Sequence, residues 1–177
     1  MSKRRTTERW CQRRFVASAA FSLVELLVAL AIIAILSGLG AASYSSVTGR
    51  TRVIGEANDL LLAIELTRSE AVKRSTRVTL LPVGADWSAG WTVFVDSNGN
   101  RQVDPREPLI YSHARLKPST RVTTNTTPGY IAFGPAGVPQ QYSGAFLAAT
   151  LTFCDTGVSR SVVLARSGRP RVVSGTC

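Results

Sequence analysis

The sequence contains a single histidine, His113, and only three cysteines among its 177 residues. No second metal ligand is spaced to His113, and no nucleophile can be paired with a base in a recognisable arrangement. The short Gly38-Leu39-Gly40 element has no preceding strand, so it does not predict a dinucleotide-binding loop. These shortages give no support to an enzyme, a cofactor or a metal site.

Acidic residues are also scarce. The chain has 11 Asp and Glu against 21 Lys and Arg, which gives a formal net charge of +10. Residues 1–20 carry six bases and one acid, so half of the positive excess lies in this short segment. Such a charge balance predicts an anionic partner, either nucleic acid or an acidic membrane surface.

Charge is almost absent from residues 21–42, which read FSLVELLVALAIIAILSGLGAA and contain one ionisable residue, Glu25. As a helix this segment is roughly 33 Å long, enough to cross a bilayer core. Its basic flank predicts a cytoplasmic N-terminus. A buried soluble helix is one alternative, and an ordinary secretory signal is another. The second is disfavoured because the small residues Ala17 to Ala20 precede the apolar run instead of following it.

The helical pattern continues beyond the apolar run, over residues 43–75. Apolar residues recur near a 3.6-residue period among charged ones, which predicts a helix that packs on a domain. The recurring residues are Val47, Ile54, Leu61, Ile64 and Val72. Gly38, Gly40 and Gly49 are points where this long helix is expected to loosen or bend.

Residues 76–177 have the pattern of short strands separated by turn residues. Because no helical pattern intervenes, we expect antiparallel sheets. The predicted fold class is α+β, with a long N-terminal helix packed on a small antiparallel β-sheet or β-sandwich domain. The predicted strands are Val78–Pro82, Trp91–Asp96, Leu109–Ser112, Tyr130–Phe133, Thr150–Cys154, Ser161–Ala165 and Pro170–Val173.

The residues Ala20-Phe21-Ser22-Leu23-Val24-Glu25-Leu26-Leu27 resemble the signature of type IV prepilins. The resemblance implies that residues 1–20 are a leader, which a prepilin peptidase removes before Phe21, and that the new amino group is methylated. The usual residue before the Phe is Gly, whereas this chain has Ala20. The resemblance also implies that Glu25 pairs with the terminal amine of a neighbouring subunit as a fibre assembles.

The rest of the chain resembles the GspH/FimT branch of minor pilins and pseudopilins. Three stretches carry this resemblance: Asp59–Pro82, Gly90–Asn100, and Phe153 to Cys177. It implies a single-pass protein of the bacterial inner membrane with a periplasmic domain, incorporated into a pilus or pseudopilus with other pilins. In an exported domain, Cys154 and Cys177 are the pair that can form a disulfide, since Cys11 lies in the leader.

The C-terminal tail is basic. No acidic side chain follows Asp155, but Arg160, Arg166, Arg169 and Arg171 do. The element Gly168-Arg169-Pro170-Arg171 matches the GRxR tail by which FimT-type minor pilins bind DNA. Pro170 predicts an edge or loop position, with Arg169 and Arg171 on one side of an extended segment. The alternative is a solvated basic edge that only discourages aggregation.

The segment after the second predicted strand has two interpretations. Asp96, Asn98, Asn100 and Glu107 are spaced like ligands of a calcium loop, but Arg101 occupies the position that requires Gly. Asn98-Gly99 is a good turn between Val93–Val95 and Gln102–Val103. We therefore predict a plain hairpin turn and no metal.

Three functions remain open at this level. The favoured hypothesis is a minor pilin that binds DNA during uptake in natural transformation. The alternatives are a pseudopilin of a type II secretion system, whose domain contacts other pseudopilins, and a structural subunit that primes pilus assembly. Only the basic tail distinguishes them in the sequence.

Overall fold

The computed structural model describes residues 22–125 and 129–177. The chain divides into two compact units, residues 1–41 and 42–177. The predicted leader, with its cleavage site between Ala20 and Phe21 and with Cys11, lies outside the described residues. Among the residues that are described, no helix combines the length and the apolarity needed to cross a membrane.

One helix, α1, spans Leu23–Arg74. Ser22 caps its N-terminus, because the Ser22 hydroxyl accepts a hydrogen bond from the backbone N–H of Glu25 at 3.1 Å. A Ser followed three residues later by a Glu is the capping-box pattern, and a carboxylate in the first turn also complements the helix dipole. The Glu25 backbone N–H is therefore satisfied by Ser22, and the Glu25 carboxylate lies in the first turn, where the helix dipole favours negative charge.

The helix continues through Gly38, Gly40 and Gly49, where the sequence predicted weak points. Gly49 is buried, and a Cβ atom at this position would lie 2.3 Å from the hydroxyl oxygen of Thr156. The absence of a side chain thus allows the helix backbone to approach the turn that contains Thr156. Packing, and not bending, explains this glycine.

The buried side of α1 is built largely from small residues. Val47 and Val72, two large apolar residues of the predicted amphipathic pattern, are 63% and 50% exposed. The predicted apolar face is therefore wrong at these positions. Small side chains occupy the contact because close packing leaves little room between the helix and the sheets. The buried helix residues are Gly49, Val53, Ala57, Leu60, Ala63, Ile64, Thr67 and Ala71.

Eight strands form two antiparallel sheets. The first sheet has the order β3-β2-β1-β5 and the second has the order β4-β6-β7-β8. In chain order the strands are β1 Val78–Val83, β2 Asp86–Val95, β3 Leu109–His113, β4 Arg121–Thr124, β5 Ile131–Phe133, β6 Ala149–Asp155, β7 Val158–Leu164 and β8 Pro170–Thr176. The predicted α+β fold class is confirmed. The short strand β4 was not predicted.

A single cluster of buried residues joins the helix to both sheets. Ile64 comes from α1, Trp91 and Phe133 from the first sheet, and Phe153 from the second, and all four are fully buried. Trp91 meets Phe153 edge to face, with ring centroids 6.3 Å apart. The aromatic core thus fixes the position of the second sheet, whose outer edge carries the basic tail.

The connection between β2 and β3 differs from the predicted tight turn. It spans residues 96–108, and Gln102–Val103 is not part of a strand. The buried Asp96 carboxylate accepts hydrogen bonds from the backbone N–H groups of Gly99 and Arg101. Glu107 accepts another from Ser97 at 2.8 Å. Inward-pointing carboxylates therefore organise a longer loop, because they satisfy backbone donors that a hairpin ladder would otherwise use.

Candidate nucleic-acid interface

The predicted basic element lies in the hairpin that joins β7 to β8. The backbone N–H of Gly168 donates to the Ala165 carbonyl at 2.9 Å and closes the turn. Gly168 has a φ of +78°, which a residue with a side chain adopts only at a cost. Arg169 is the last turn residue, and β8 begins at Pro170. The strand therefore starts at Pro170 as predicted, whereas Arg169, which was expected to be extended beside Arg171, lies just before it at the end of the turn.

Gly168 is also held by the rest of the fold. A Cβ atom on it would lie 3.0 Å from the Gly137 carbonyl oxygen and 3.1 Å from Cδ of Pro139. The Gly168 carbonyl accepts a hydrogen bond from Nη1 of Arg68 on α1 at 3.3 Å. Sequence spacing could not indicate this contact, since it joins residues that are far apart in the chain. The turn that presents the arginines is thus anchored to both the helix and the 134–139 loop.

Pro170 begins an edge strand, which is the position expected for a strand that starts with proline. It pairs with Leu164 on β7. Proline lacks a backbone N–H, so it offers no donor to a further strand at this end of the edge.

Three arginines at this end of the hairpin are exposed: Arg166, Arg169 and Arg171. Among residues 22–125 and 129–177, their side chains have no hydrogen-bond or ion-pair partner. Arg166 and Arg169 lie in the turn, and Arg171 lies on β8 opposite Val163. The structure thus brings these three predicted residues together with their guanidinium groups available.

Arg160 lies elsewhere. Side chains alternate between the two faces along a strand, and Val162 of β7 is fully buried on the inner face. Arg160 shares that inner face with its cross-strand partner Phe153, whereas Arg171 lies on the outer face. The structure therefore does not bring Arg160 together with the tail arginines, although the sequence analysis grouped them.

The outer face of the second sheet is rich in hydroxyl groups. Thr123, Thr152 and Ser161 lie in one cross-strand row, and the hydroxyl oxygens of Thr152 and Ser161 are 2.8 Å apart. Arg121 on β4 and Arg171 on β8 lie on this same face at opposite edges of the sheet. Hydroxyl and guanidinium groups are common donors to phosphate oxygens. Arg121 was not predicted as part of this surface, because its strand β4 was not predicted.

Asp155 is the only acidic residue in the four strands of this sheet. Its buried carboxylate accepts hydrogen bonds from Nη1 of Arg52 at 2.7 Å and from the Ser119 hydroxyl at 2.9 Å. Because this negative charge is neutralised inside the domain, the outer face presents positive charge without a neighbouring carboxylate from its own strands.

The structure contains the Cys154–Cys177 disulfide. The two Cα atoms are 5.9 Å apart, and the backbone N–H of Cys177 also donates to the Gly157 carbonyl at 3.2 Å. The bridge joins the C-terminus to β6 across the end of β7. Strand β8 is thus held at its start by the Gly168 turn and at its end by the disulfide.

Three other polar residues meet that the sequence spacing did not connect: Glu56, Asp59 and His113. The two acids lie on α1, and the histidine ends β3. No local sequence pattern predicts this group, because its formation depends on how the helix packs on the first sheet.

Comparison with known proteins agrees with this architecture. Residues 56–168 match the family described as Type II transport protein GspH. Residues 17–41 match the prokaryotic N-terminal methylation motif. The pilin-like protein PilA1 of Thermus thermophilus is 31% identical over 159 residues, which cover 85% of this chain and 96% of that relative.

The fold also resembles that of a solved structure. The crystal structure of the type IV minor pilin FimU from Pseudomonas aeruginosa matches with a TM-score of 0.53 at 20% identity, covering 71% of this chain and 91% of that one. The minor pseudopilin EpsH of the Vibrio cholerae Type 2 Secretion System has a TM-score of 0.48 at 12% identity, covering 70% and 97% of the two chains. Because the family model matches more than half of its residues, the chain belongs to the family described as Type II transport protein GspH.

Proposed function

We propose that this chain is a minor type IV pilin that binds the phosphate backbone of DNA through Arg169 and Arg171, for uptake in natural transformation. The observation that carries the proposal is the exposed, unpaired state of Arg166, Arg169 and Arg171 within the described residues, at one end of an edge hairpin. Arg166 lies in the same turn and takes part. Arg160 lies on the other face of the sheet and is no longer included.

The expected contact is independent of base sequence. The hairpin end offers neither a helix that fits the major groove nor a row of aromatic side chains on which bases stack. Guanidinium groups bind phosphates in a bidentate manner. Because only a few arginines take part, the total binding is expected to be weak and salt-dependent. One domain is expected to bind with a Kd of about 10⁻⁴ to 10⁻⁶ M. Repetition along a fibre raises the effective affinity.

The outer face of the second sheet extends this surface. Its Thr and Ser hydroxyls lie between Arg171 and Arg121, and Arg121 is three strand spacings across the sheet and four residues along it, about 19 Å away. A phosphate backbone that crosses the face from the hairpin end meets donors on the way. We expect Arg121 to contribute less than the tail arginines, because it lacks a second arginine beside it on β4.

The test is a titration of duplex DNA with the fragment 43–177, which retains every residue of the buried core. Wild type is compared with the double variant Arg169→Gln/Arg171→Gln at several salt concentrations. Loss of two phosphate contacts lowers the affinity and reduces the slope of log K against log salt by about 1.8, or about 0.9 per contact. Both residues are exposed, so the variant keeps its fold.

The matched control is the double variant Arg106→Gln/Lys117→Gln. It removes the same net charge from two exposed residues outside the second-sheet hairpin. If the tail carries the contact, this control retains most of the affinity and the full salt slope. Equal losses in the two variants would mean that net charge, and not the hairpin, attracts DNA. Unchanged binding in the tail variant would refute the proposal.

A second part of the proposal concerns the N-terminal segment and assembly of a fibre at the inner membrane. We propose that residues 21–42 anchor the chain there, with the N-terminus cytoplasmic and residues 76–177 periplasmic, after a prepilin peptidase cuts between Ala20 and Phe21. The match to the N-terminal methylation motif supports this processing. Intact mass of the membrane-extracted protein tests it, since the mature chain should begin with methylated Phe21.

Glu25 is proposed to pair with the terminal amine of a neighbouring pilin. Two opposite charges stabilise each other strongly where the dielectric constant is low. The variant Glu25→Gln should insert normally but be depleted from sheared fibres. Gln also suits the third position of a capping box, so the helix start is preserved. Normal incorporation of the variant would contradict the pairing.

A second candidate is a minor pseudopilin of a type II secretion system. The match of residues 56–168 to the GspH family favours it. In that function the domain contacts other pseudopilins instead of DNA. The DNA titration distinguishes the two candidates. A pseudopilin is not expected to bind DNA selectively through its tail, so replacing Arg169 and Arg171 should lower its DNA affinity no more than the control variant does.

A further inference from the structure

The group formed by Glu56, Asp59 and His113 lies between α1 and the first sheet. Glu56 and Asp59 are three residues apart on the helix, so their side chains share one face. The His113 Nε2 atom lies 3.6 Å from Oε2 of Glu56 and 3.5 Å from Oδ2 of Asp59. The three ligand-type atoms all lie within 4.8 Å of one another.

The orientation of the His113 ring is set by two contacts. Its Nδ1 atom is 2.8 Å from the Ala114 carbonyl oxygen. A carbonyl oxygen only accepts, so Nδ1 carries the hydrogen, and in the neutral ring Nε2 presents its lone pair to the two carboxylates. Trp91 stacks on the ring, with centroids 4.0 Å apart and an angle of 8° between the planes. A metal-bound histidine commonly donates its other N–H to a carbonyl in this way.

Glu56 has a buried carboxylate oxygen. Its Oε2 atom is shielded from solvent and has no hydrogen bond within the described residues. A buried carboxylate oxygen that faces a ring lone pair is unfavourable unless a proton or a metal cation lies between them.

The two separations from Nε2 fit one class of cation. Zinc binds imidazole nitrogen and carboxylate oxygen at about 2.0–2.2 Å in tetrahedral geometry, which separates neighbouring ligand atoms by about 3.3–3.6 Å. The separations of 3.5 and 3.6 Å from Nε2 fall in this range. Calcium and magnesium prefer all-oxygen sites, so one nitrogen among three ligands favours zinc over them.

We infer that Glu56, Asp59 and His113 form a binding site for a divalent transition metal of the zinc class. The metal joins α1 to the end of β3. The Asp59 side chain is 47% exposed, so the fourth coordination position opens towards water. The site is separate from the basic hairpin, and its existence does not depend on whether the tail binds DNA.

The experiment uses the full chain in detergent, purified without a histidine tag and stripped with a chelator. Zn²⁺ is titrated calorimetrically, and the melting temperature is recorded with and without Zn²⁺. Wild type should bind one Zn²⁺ at this site and melt at a higher temperature when it is present. Glu56→Gln and His113→Ala should each weaken Zn²⁺ binding by at least about tenfold. Loss of a residue that only hydrogen-bonds to a metal ligand already costs about this much, and loss of a ligand should cost more.

Glu65→Gln is the matched control, because it removes another acid from the same helix. It should bind Zn²⁺ as wild type does. Melting without Zn²⁺ shows whether each variant is folded, and Glu56→Gln preserves side-chain volume should His113→Ala prove unstable. Equal Zn²⁺ affinity in wild type and Glu56→Gln would overturn the inference, since binding would then lie elsewhere, for example at Cys11. A wild type that does not respond to Zn²⁺ would reduce the group to an ion pair of protonated His113 with its acids, and would overturn it as well.

Discussion

Replacement of Gly168 by alanine tests whether this glycine is structural or part of the DNA contact. The φ of +78° costs about 1–2 kcal/mol for a residue with a Cβ atom. The added methyl group would also press on the Gly137 carbonyl oxygen at 3.0 Å and on Pro139 Cδ at 3.1 Å. Overpacking of this kind typically costs about 1–3 kcal/mol. Together the two effects lower the free energy of unfolding by about 3 kcal/mol.

Gly157→Ala separates the two contributions. Gly157 lies in the turn between β6 and β7 with a φ of +81°, and no atom would lie within 4 Å of its Cβ. This control therefore carries only the backbone cost, about 1–2 kcal/mol. The measurement is urea unfolding of the fragment 43–177. With a slope of about 2 kcal/mol/M, the midpoint should fall by about 1.5 M for Gly168→Ala and by about 0.7 M for the control. Equal shifts would refute the packing argument.

Two further predictions concern covalent and pH-dependent stability. Cys154→Ser/Cys177→Ser should lower the free energy of unfolding by about 3 kcal/mol, because the bridge closes a loop between residues 23 positions apart. Wild type treated with reductant should melt at the same temperature as the variant. A variant that melts at the temperature of untreated wild type would contradict the prediction. Burial, and then the hydrogen bond to Asp96, raise the pKa of Tyr142. Stability that is present below the unfolded pKa of about 10 is therefore lost as the pH rises above it, and Tyr142→Phe should weaken this loss in urea unfolding at about pH 9 and about pH 11.

The sequence predicted most elements of the fold because their signals are local. The helix has an apolar run followed by a periodic pattern, and seven of the strands combine apolar residues with Gly or Pro turns. Strand β4 was missed because Arg121–Thr124 is short, polar and mostly exposed, so it has no apolar alternation. It becomes a strand only because β6 offers it an open edge.

The buried face of the helix was harder to predict. Periodicity gives weight to large apolar residues such as Val47 and Val72, but the contact with the sheets is made by small residues such as Gly49 and Ala57. A small residue gives no local sign of whether it is buried. The partner surface decides, as Thr156 does for Gly49.

The two candidate sites differ in the same way. Arg166, Arg169 and Arg171 come together through one hairpin, so neighbouring sequence was enough to group them. Arg160 was misplaced because strand alternation could be applied only once the inner face of β7 was known. Glu56 and His113 are brought together by tertiary packing alone, and no spacing rule connects residues on a helix and on a distant strand.

The four residues of the tail element have two different roles, and the DNA hypothesis predicts a different effect for each. Gly168 and Pro170 set the turn and the strand start, while Arg169 and Arg171 carry the charge. Loss of an arginine should lower DNA affinity at unchanged stability, whereas Gly168→Ala should lower stability first. The DNA titration is done without urea, on Gly168→Ala protein that melting shows to be folded. The slope of log K against log salt should then stay near that of wild type, because both arginines remain. A slope reduced as far as in the double arginine variant would show that the glycine backbone itself contacts the phosphate, and this division would then be wrong.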